Sequence, residues 1–253
     1  MRSASVSAVL TGTLALCGSV LAVPAAHAVE TDVVIKKVSV NGGKSVVFGT
    51  SRTESFTISV TASDDSGIKN GGFLQIEREK EGEYWSYHGV PACTAVSATT
   101  STCKLTVKLE RDIDLPRNTL AGPWDVYVEL NSKDGDHYGD VYGTHPVKRR
   151  STLSVDATPE PVAKDRTITV TGKLARANWD KYTYAGYTAQ PVRLQFRPKA
   201  GTTYTTVKTV TSDGTGKLKA SVKATSDGYW RWNFAGTSTT AALKSAGDFV
   251  DVR

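Results

Sequence analysis

Between Gly228 and Thr237 the chain reads Gly-Tyr-Trp-Arg-Trp-Asn-Phe-Ala-Gly-Thr, with Trp230, Trp232 and Phe234 alternating with Tyr229, Arg231 and Asn233. A side-chain period of two belongs to a β-strand, so three large rings fall on one face. Rings of this size bury about 150–250 Å² each. That is too much apolar surface to leave in water, and the strand requires an opposing sheet. A second strand of the same kind lies upstream, Gly122-Pro123-Trp124-Asp125-Val126-Tyr127-Val128-Glu129-Leu130. The chain is therefore predicted to form two sandwiches, one around each strand, with Trp124, Trp230 and Trp232 in the cores.

The remaining pattern agrees. Helical periodicity is nearly absent, and short β-rich runs are separated by Gly, Asp, Asn, Ser and Pro. Phe56, Ile58 and Val60 share one face of a run, as do Val192, Leu194 and Phe196. The two halves repeat an order: Phe56–Thr61 answers to Thr167–Thr171, Gly72–Ile76 to Val192–Phe196, Cys103–Leu105 to Gly216–Leu218, and Gly122-x-Trp124 to Gly228-x-Trp230. Modules of about 100 residues and seven strands have the size of an immunoglobulin-like sandwich. The predicted boundaries are 29–149 and 150–253, with Lys148-Arg149-Arg150 as an exposed linker; a single large barrel is the alternative.

The segment Val192–Gly236 carries a resemblance, in Leu-Gln-Phe-Arg at 194–197, Thr-Val-Lys-Thr-Val at 206–210 and Tyr-Trp-Arg-Trp-Asn-Phe-Ala-Gly at 229–236. It resembles bacterial immunoglobulin-like repeats, and the whole layout is similar to secreted tandem immunoglobulin-like proteins of Gram-positive bacteria. The resemblance implies an all-β fold of two tandem antiparallel sandwiches. It says little about function, because such modules serve adhesion, spacing and ligand binding alike.

Residues 1–28 read as a signal peptide. Arg2 is the only charge before Glu30, an apolar run follows, and Ala26-His27-Ala28 is a small-x-small cleavage site. No later stretch reaches the ~18 apolar residues of a membrane span. The expected product is secreted and extracellular. Loss of Arg2 takes the net charge from +6 to +5. The signs are mixed along the strands, which argues against nucleic acid as a partner; a cell-wall polymer or an extracellular protein fits better, and a monomer is expected. Two cysteines remain, Cys93 and Cys103, and an even pair in an exported chain predicts a disulfide.

The inventory favours a non-enzymatic binding or structural protein without a cofactor. A nucleophile elbow of the Gly-x-Ser-x-Gly form does not occur. A hydrolase with an Asp/His site would have to draw on His137 or His145 beside Asp134, Asp136 and Asp140. The same aspartates suggest Ca²⁺ as the alternative function, since they occupy positions 1, 3 and 7 of an EF-hand count. That match fails at position 12, where His145 replaces Glu. Asp64-Asp65-Ser66-Gly67 is a second acidic turn. The candidate ligand surface is the loop Arg176–Gln190, with Trp179, Tyr182, Tyr184 and Tyr187. These rings either grip a sugar or a protein partner, or close the end of a sandwich at the domain junction.

Overall fold

The computed structural model describes residues 32–50 and 53–253. The expected signal peptide, residues 1–28 with cleavage after Ala28, lies outside the described residues. Thr31–Arg253 forms one compact unit. No helix among the described residues is long and apolar enough to cross a membrane.

The first sandwich is made by β1 (Val34–Val40), β2 (Val46–Phe48), β3 (Thr53–Ser63), β4 (Phe73–Lys80), β5 (Glu83–Gly89), β6 (Ala92–Ala95), β7 (Thr100–Glu110), β8 (Gly122–Asn131) and β9 (His137–Arg149). One sheet has the order β1-β3-β7-β6 and the other β2-β9-β8-β4-β5. All neighbours are antiparallel except β2, which runs parallel to β9. Lettered along the chain, this is the A-B-E-D and G-F-C order of an immunoglobulin sandwich. The alternation seen in sequence sets the core: Phe56, Ile58, Val60 and Ala62 of β3 face Trp124, Val126, Val128 and Leu130 of β8 in one buried cluster. The indole of Trp124 donates to the Leu120 carbonyl at 2.8 Å, so the buried ring leaves no polar group unpaired. β4 and β5 are joined by Glu81-Gly82, both at positive φ, the two-residue turn whose twist matches a hairpin.

The second sandwich follows the same plan with β10 (Ser151–Leu153), β11 (Asp156–Thr158), β12 (Arg166–Asn178), β13 (Thr183–Gly186), β14 (Pro191–Pro198), β15 (Thr205–Thr211), β16 (Lys217–Ala224), β17 (Gly228–Phe234), β18 (Leu243–Lys244) and β19 (Asp248–Val250). β12 pairs with β16 and with the short β10, β11 and β13; the facing sheet runs β15-β14-β17, with β18 and β19 on the far side of β17. Trp230, Trp232 and Phe234 are buried against Ile168, Val170 and Leu174 of β12 and Val192 and Leu194 of β14. Trp232 donates its indole N–H to the Thr171 carbonyl at 2.9 Å. Gly172 lets the indole approach: a Cβ there would lie 2.7 Å from the Trp232 ring and 2.5 Å from the Ser154 carbonyl.

Two expectations change. β12 runs on to Asn178, into the expected loop Arg176–Gln190, so the aromatic segment is the tip and return of a hairpin, β12–β13. The basic triplet is no exposed linker. β9 runs through Arg149, which is 5% exposed. The Arg149 N–H donates to Thr239 and its carbonyl accepts from Ala241. The Arg150 N–H donates to Phe48 and its carbonyl accepts from Ala177, and Lys148 Nζ donates to the Thr237 carbonyl at 2.9 Å. The hairpin tip then crosses to the first sandwich. Trp179 is fully buried there, edge-on to Phe48 with centroids 6.4 Å apart. Asn118 clamps the tip, accepting from the Trp179 N–H at 2.9 Å and donating to Asn178 Oδ1 at 3.0 Å. Burial and the nearby Arg176 guanidinium lower the Arg149 pKa to about 10.

Cys93 and Cys103 stand opposite each other on β6 and β7 and form a disulfide. Replacing both with Ser is expected to lower stability by about 2.5–3 kcal/mol, the loop-entropy value for so short a ring, with no free thiol in the native parent; a titratable native thiol would contradict the bond. Trp179→Ala is expected to cost about 3–5 kcal/mol in denaturant unfolding and to open Lys148–Arg150 to trypsin. Two stable fragments from the parent under mild digestion would refute the closed junction.

Candidate metal centre

Strand register decides which acidic residues meet. Val34 pairs with Ser63, so Asp32 and Asp64 lie just beyond the same end of the β1–β3 pair. The β8–β9 turn, Ser132–Asp136, comes to that end through the bridge of Ile68 with Ser132. Backbone bonds lock the two acidic turns together: Lys133 N–H donates to the Gly67 carbonyl, and Lys69 N–H to the Asn131 carbonyl. Gly67 is at φ +92°, and a Cβ there would meet the Ala98 carbonyl at 2.5 Å. Asp64 Oδ1 accepts from the Ser66 N–H at 2.9 Å and its hydroxyl at 2.6 Å. The Asp134 N–H donates to Ser66 Oγ at 3.3 Å. Ser132 Oγ accepts from the Asp136 N–H at 2.7 Å and donates to Asp134 Oδ1.

Two sets of carboxylates result, each with oxygens within 4.8 Å of one another: Asp32, Asp64 and Asp136, and Asp64, Asp65 and Asp134. Asp64 belongs to both. It is 3% exposed, and its Oδ2 is buried without a hydrogen-bond partner. The crowding shows in ionisation. A hydrogen bond shared with Asp64, lost hydration, and the nearby Asp136 and Asp65 raise the Asp32 carboxyl well above the usual carboxylate range. Burial opposes ionisation of Asp64, but the Ser66 hydroxyl, Asp32 and the Ser66 N–H outweigh it and hold Asp64 low. The Ser132 hydroxyl does the same for Asp134.

Of the aspartates singled out in sequence, Asp134 and Asp136 enter the cluster and Asp140 does not. Asp140 sits within β9 opposite Val128, where its Oδ1 accepts from the Val141 N–H at 2.7 Å. The EF-hand count assumes a loop through residue 145, whereas His137–Arg149 is a strand. Asp32 and Asp65 join instead, and the turn Asp64-Asp65-Ser66-Gly67 was the signal in sequence that pointed this way. The histidines stand apart from the carboxylates: His137 Nδ1 is 3.0 Å from Asn131 Oδ1, and His145 is buried with Nε2 3.1 Å from the Lys44 carbonyl.

The four aromatics of the expected ligand surface divide. Trp179 and Tyr187 are buried, the latter edge-on to Phe234 at 5.7 Å and under the Arg176 guanidinium at 3.8 Å. Tyr182 and Tyr184 are 49% and 39% exposed. Two of the rings therefore pack, and two face solvent near the junction. On the outer face of β17, Arg231 lies 3.7 Å over Tyr204 and Arg197 4.1 Å over Tyr229, a ladder of cation–π contacts.

Comparison with protein-family models and with curated proteins gives no match. Among solved structures, the fibronectin(III)-like modules of CbhA from Clostridium thermocellum align over 87% of this chain and 92% of theirs, at 12% identity and a TM-score of 0.37. The D00-D0 domain of intimin aligns over 85% of this chain and 99% of its own, at 15% identity and a TM-score of 0.28. Dimeric latent PorU from Porphyromonas gingivalis aligns over 87% of this chain at 12% identity and a TM-score of 0.29; the chain spans 20% of its length.

The two exposed tyrosines and the buried one are expected to behave differently. Tyr182→Ala with Tyr184→Ala should change unfolding stability by no more than about 1 kcal/mol, and Tyr187→Ala should cost about 3–5 kcal/mol. Equal losses in urea titrations of the two variants would contradict this division.

Proposed function

We propose that the protein is an extracellular, non-enzymatic binding or structural protein, exported from a Gram-positive cell as a two-sandwich unit of fixed geometry that presents loops at its ends. One observation carries this reading: Trp179 of the second sandwich is sealed into the core of the first. Domain pairs swivel by default unless their interface is apolar and closed. A junction filled by an indole and stitched by backbone hydrogen bonds suits a spacer or display role. The cross-strand disulfide fits an oxidising compartment, and the net charge of +5 left after loss of Arg2 fits an anionic wall polymer as partner. Expressed with its full sequence in a Gram-positive host, the protein is expected in the medium or wall fraction, with Val29 as its N-terminus. Binding to isolated anionic wall polymer should weaken as salt rises from 0.05 to about 0.5 M, since the Debye length falls below about 5 Å. Retention in the cytoplasm with an intact N-terminus would overturn the reading.

A further inference from the structure

We propose that the acidic end of the first sandwich is a Ca²⁺ site centred on Asp64, which is grouped with Asp32 and Asp136 in one set of carboxylates and with Asp65 and Asp134 in the other. Carboxylate density alone does not make such a site, because exposed acidic turns are common. Asp64 is the exception here. It is almost wholly buried, its Oδ1 is satisfied by Ser66, and its Oδ2 is buried without a hydrogen-bond partner beside the other carboxyl groups of both sets. A buried acceptor without a partner costs on the order of 1–3 kcal/mol, and more when charged. A cation among the carboxylates removes that cost and the mutual repulsion together.

The donor set selects the ion. Every candidate ligand atom is a carboxylate oxygen, with no His or Cys in either set, which favours a hard cation over zinc or copper. Ca²⁺ binds oxygens at about 2.3–2.6 Å, so oxygens on opposite sides of it stand up to roughly 5 Å apart. Within each set the oxygens lie within 4.8 Å of one another, near enough for one ion of this size to touch all three. Mg²⁺, at about 2.0–2.1 Å, spans little more than roughly 4 Å and keeps its waters. The ligands come from three places in the chain: the segment just before the first strand, the β3–β4 turn and the β8–β9 turn. The two turns are already fixed to each other by the Lys133–Gly67 and Asp134–Ser66 hydrogen bonds, so two of the three segments are ordered before binding. Asp32 supplies the third, and the ion would pin the start of β1 to the sandwich.

The test uses the whole chain from Val29 to Arg253, stripped with EGTA. Titration with CaCl2 should give a dissociation constant on the order of 0.1–1 mM, the range of extracellular modules. About 5 mM Ca²⁺ should raise the melting temperature by roughly 3–6 °C, and MgCl2 at the same concentration by less than half of that. Asp64→Asn and Asp136→Asn should each abolish most of the shift, while Asp140→Asn, which lies outside both sets, should retain it. Asp136 is less buried than Asp64, so its variant keeps the test valid if Asp64→Asn does not fold. Identical melting in Ca²⁺ and EGTA overturns the proposal. So does a Ca²⁺ shift that survives Asp136→Asn, or one that is lost in Asp140→Asn.

Discussion

The burial of one indole, that of Trp179, fixes the relation between the two halves of this protein. A sandwich has two open ends where the sheets stop and core side chains meet water. In the first sandwich, one of those ends is closed by the hairpin tip of the second, and the ring that closes it packs edge-on to Phe48. The hydrogen bonds of Asn118 to the tip hold the ring in place, and the backbone of Arg149 and Arg150 pairs with strands of both halves. Removing the ring would expose apolar core and loosen the clamp at once, so the junction is a continuation of the core and not a joint between two finished bodies.

Much of the architecture was legible because it is local. Period-two runs such as Phe56–Val60 and Trp230–Phe234 state which face is buried, and the turn residues between them state where each strand stops. The opposite fate of neighbouring charges was not legible. Lys148-Arg149-Arg150 looks like a solvated linker in any window of sequence. Arg149 is nevertheless buried, and its neighbour Arg176 stacks on Tyr187. Long basic side chains carry enough apolar stem to line a junction, and only the tertiary arrangement reveals which of them do so.

The acidic cluster illustrates the same limit from the other direction. Counting along the chain from Asp134 finds Asp136 and Asp140, because a linear motif assumes a loop. The β9 strand begins at His137 and carries Asp140 away, while pairing of β1 with β3 delivers Asp32 and Asp64 from about 70–100 residues earlier in the sequence. Ligands gathered by strand register leave no fixed spacing to recognise. The visible trace is that two Asp-rich turns, Asp64–Gly67 and Asp134–Asp136, each follow the end of a strand whose inner face is apolar.

The position of Trp179 also bears on the order in which the chain can become a folded protein. Every strand of the first sandwich is present once residue 149 has been made, and yet its core still lacks the ring that closes it. At about 5–20 residues per second, that ring arrives roughly 2–6 s later. The residues that bond the Arg149 backbone, Thr239 and Ala241, come later still. For that interval the nascent N-terminal half carries an open apolar end, which stays uncovered until its own C-terminal half closes it.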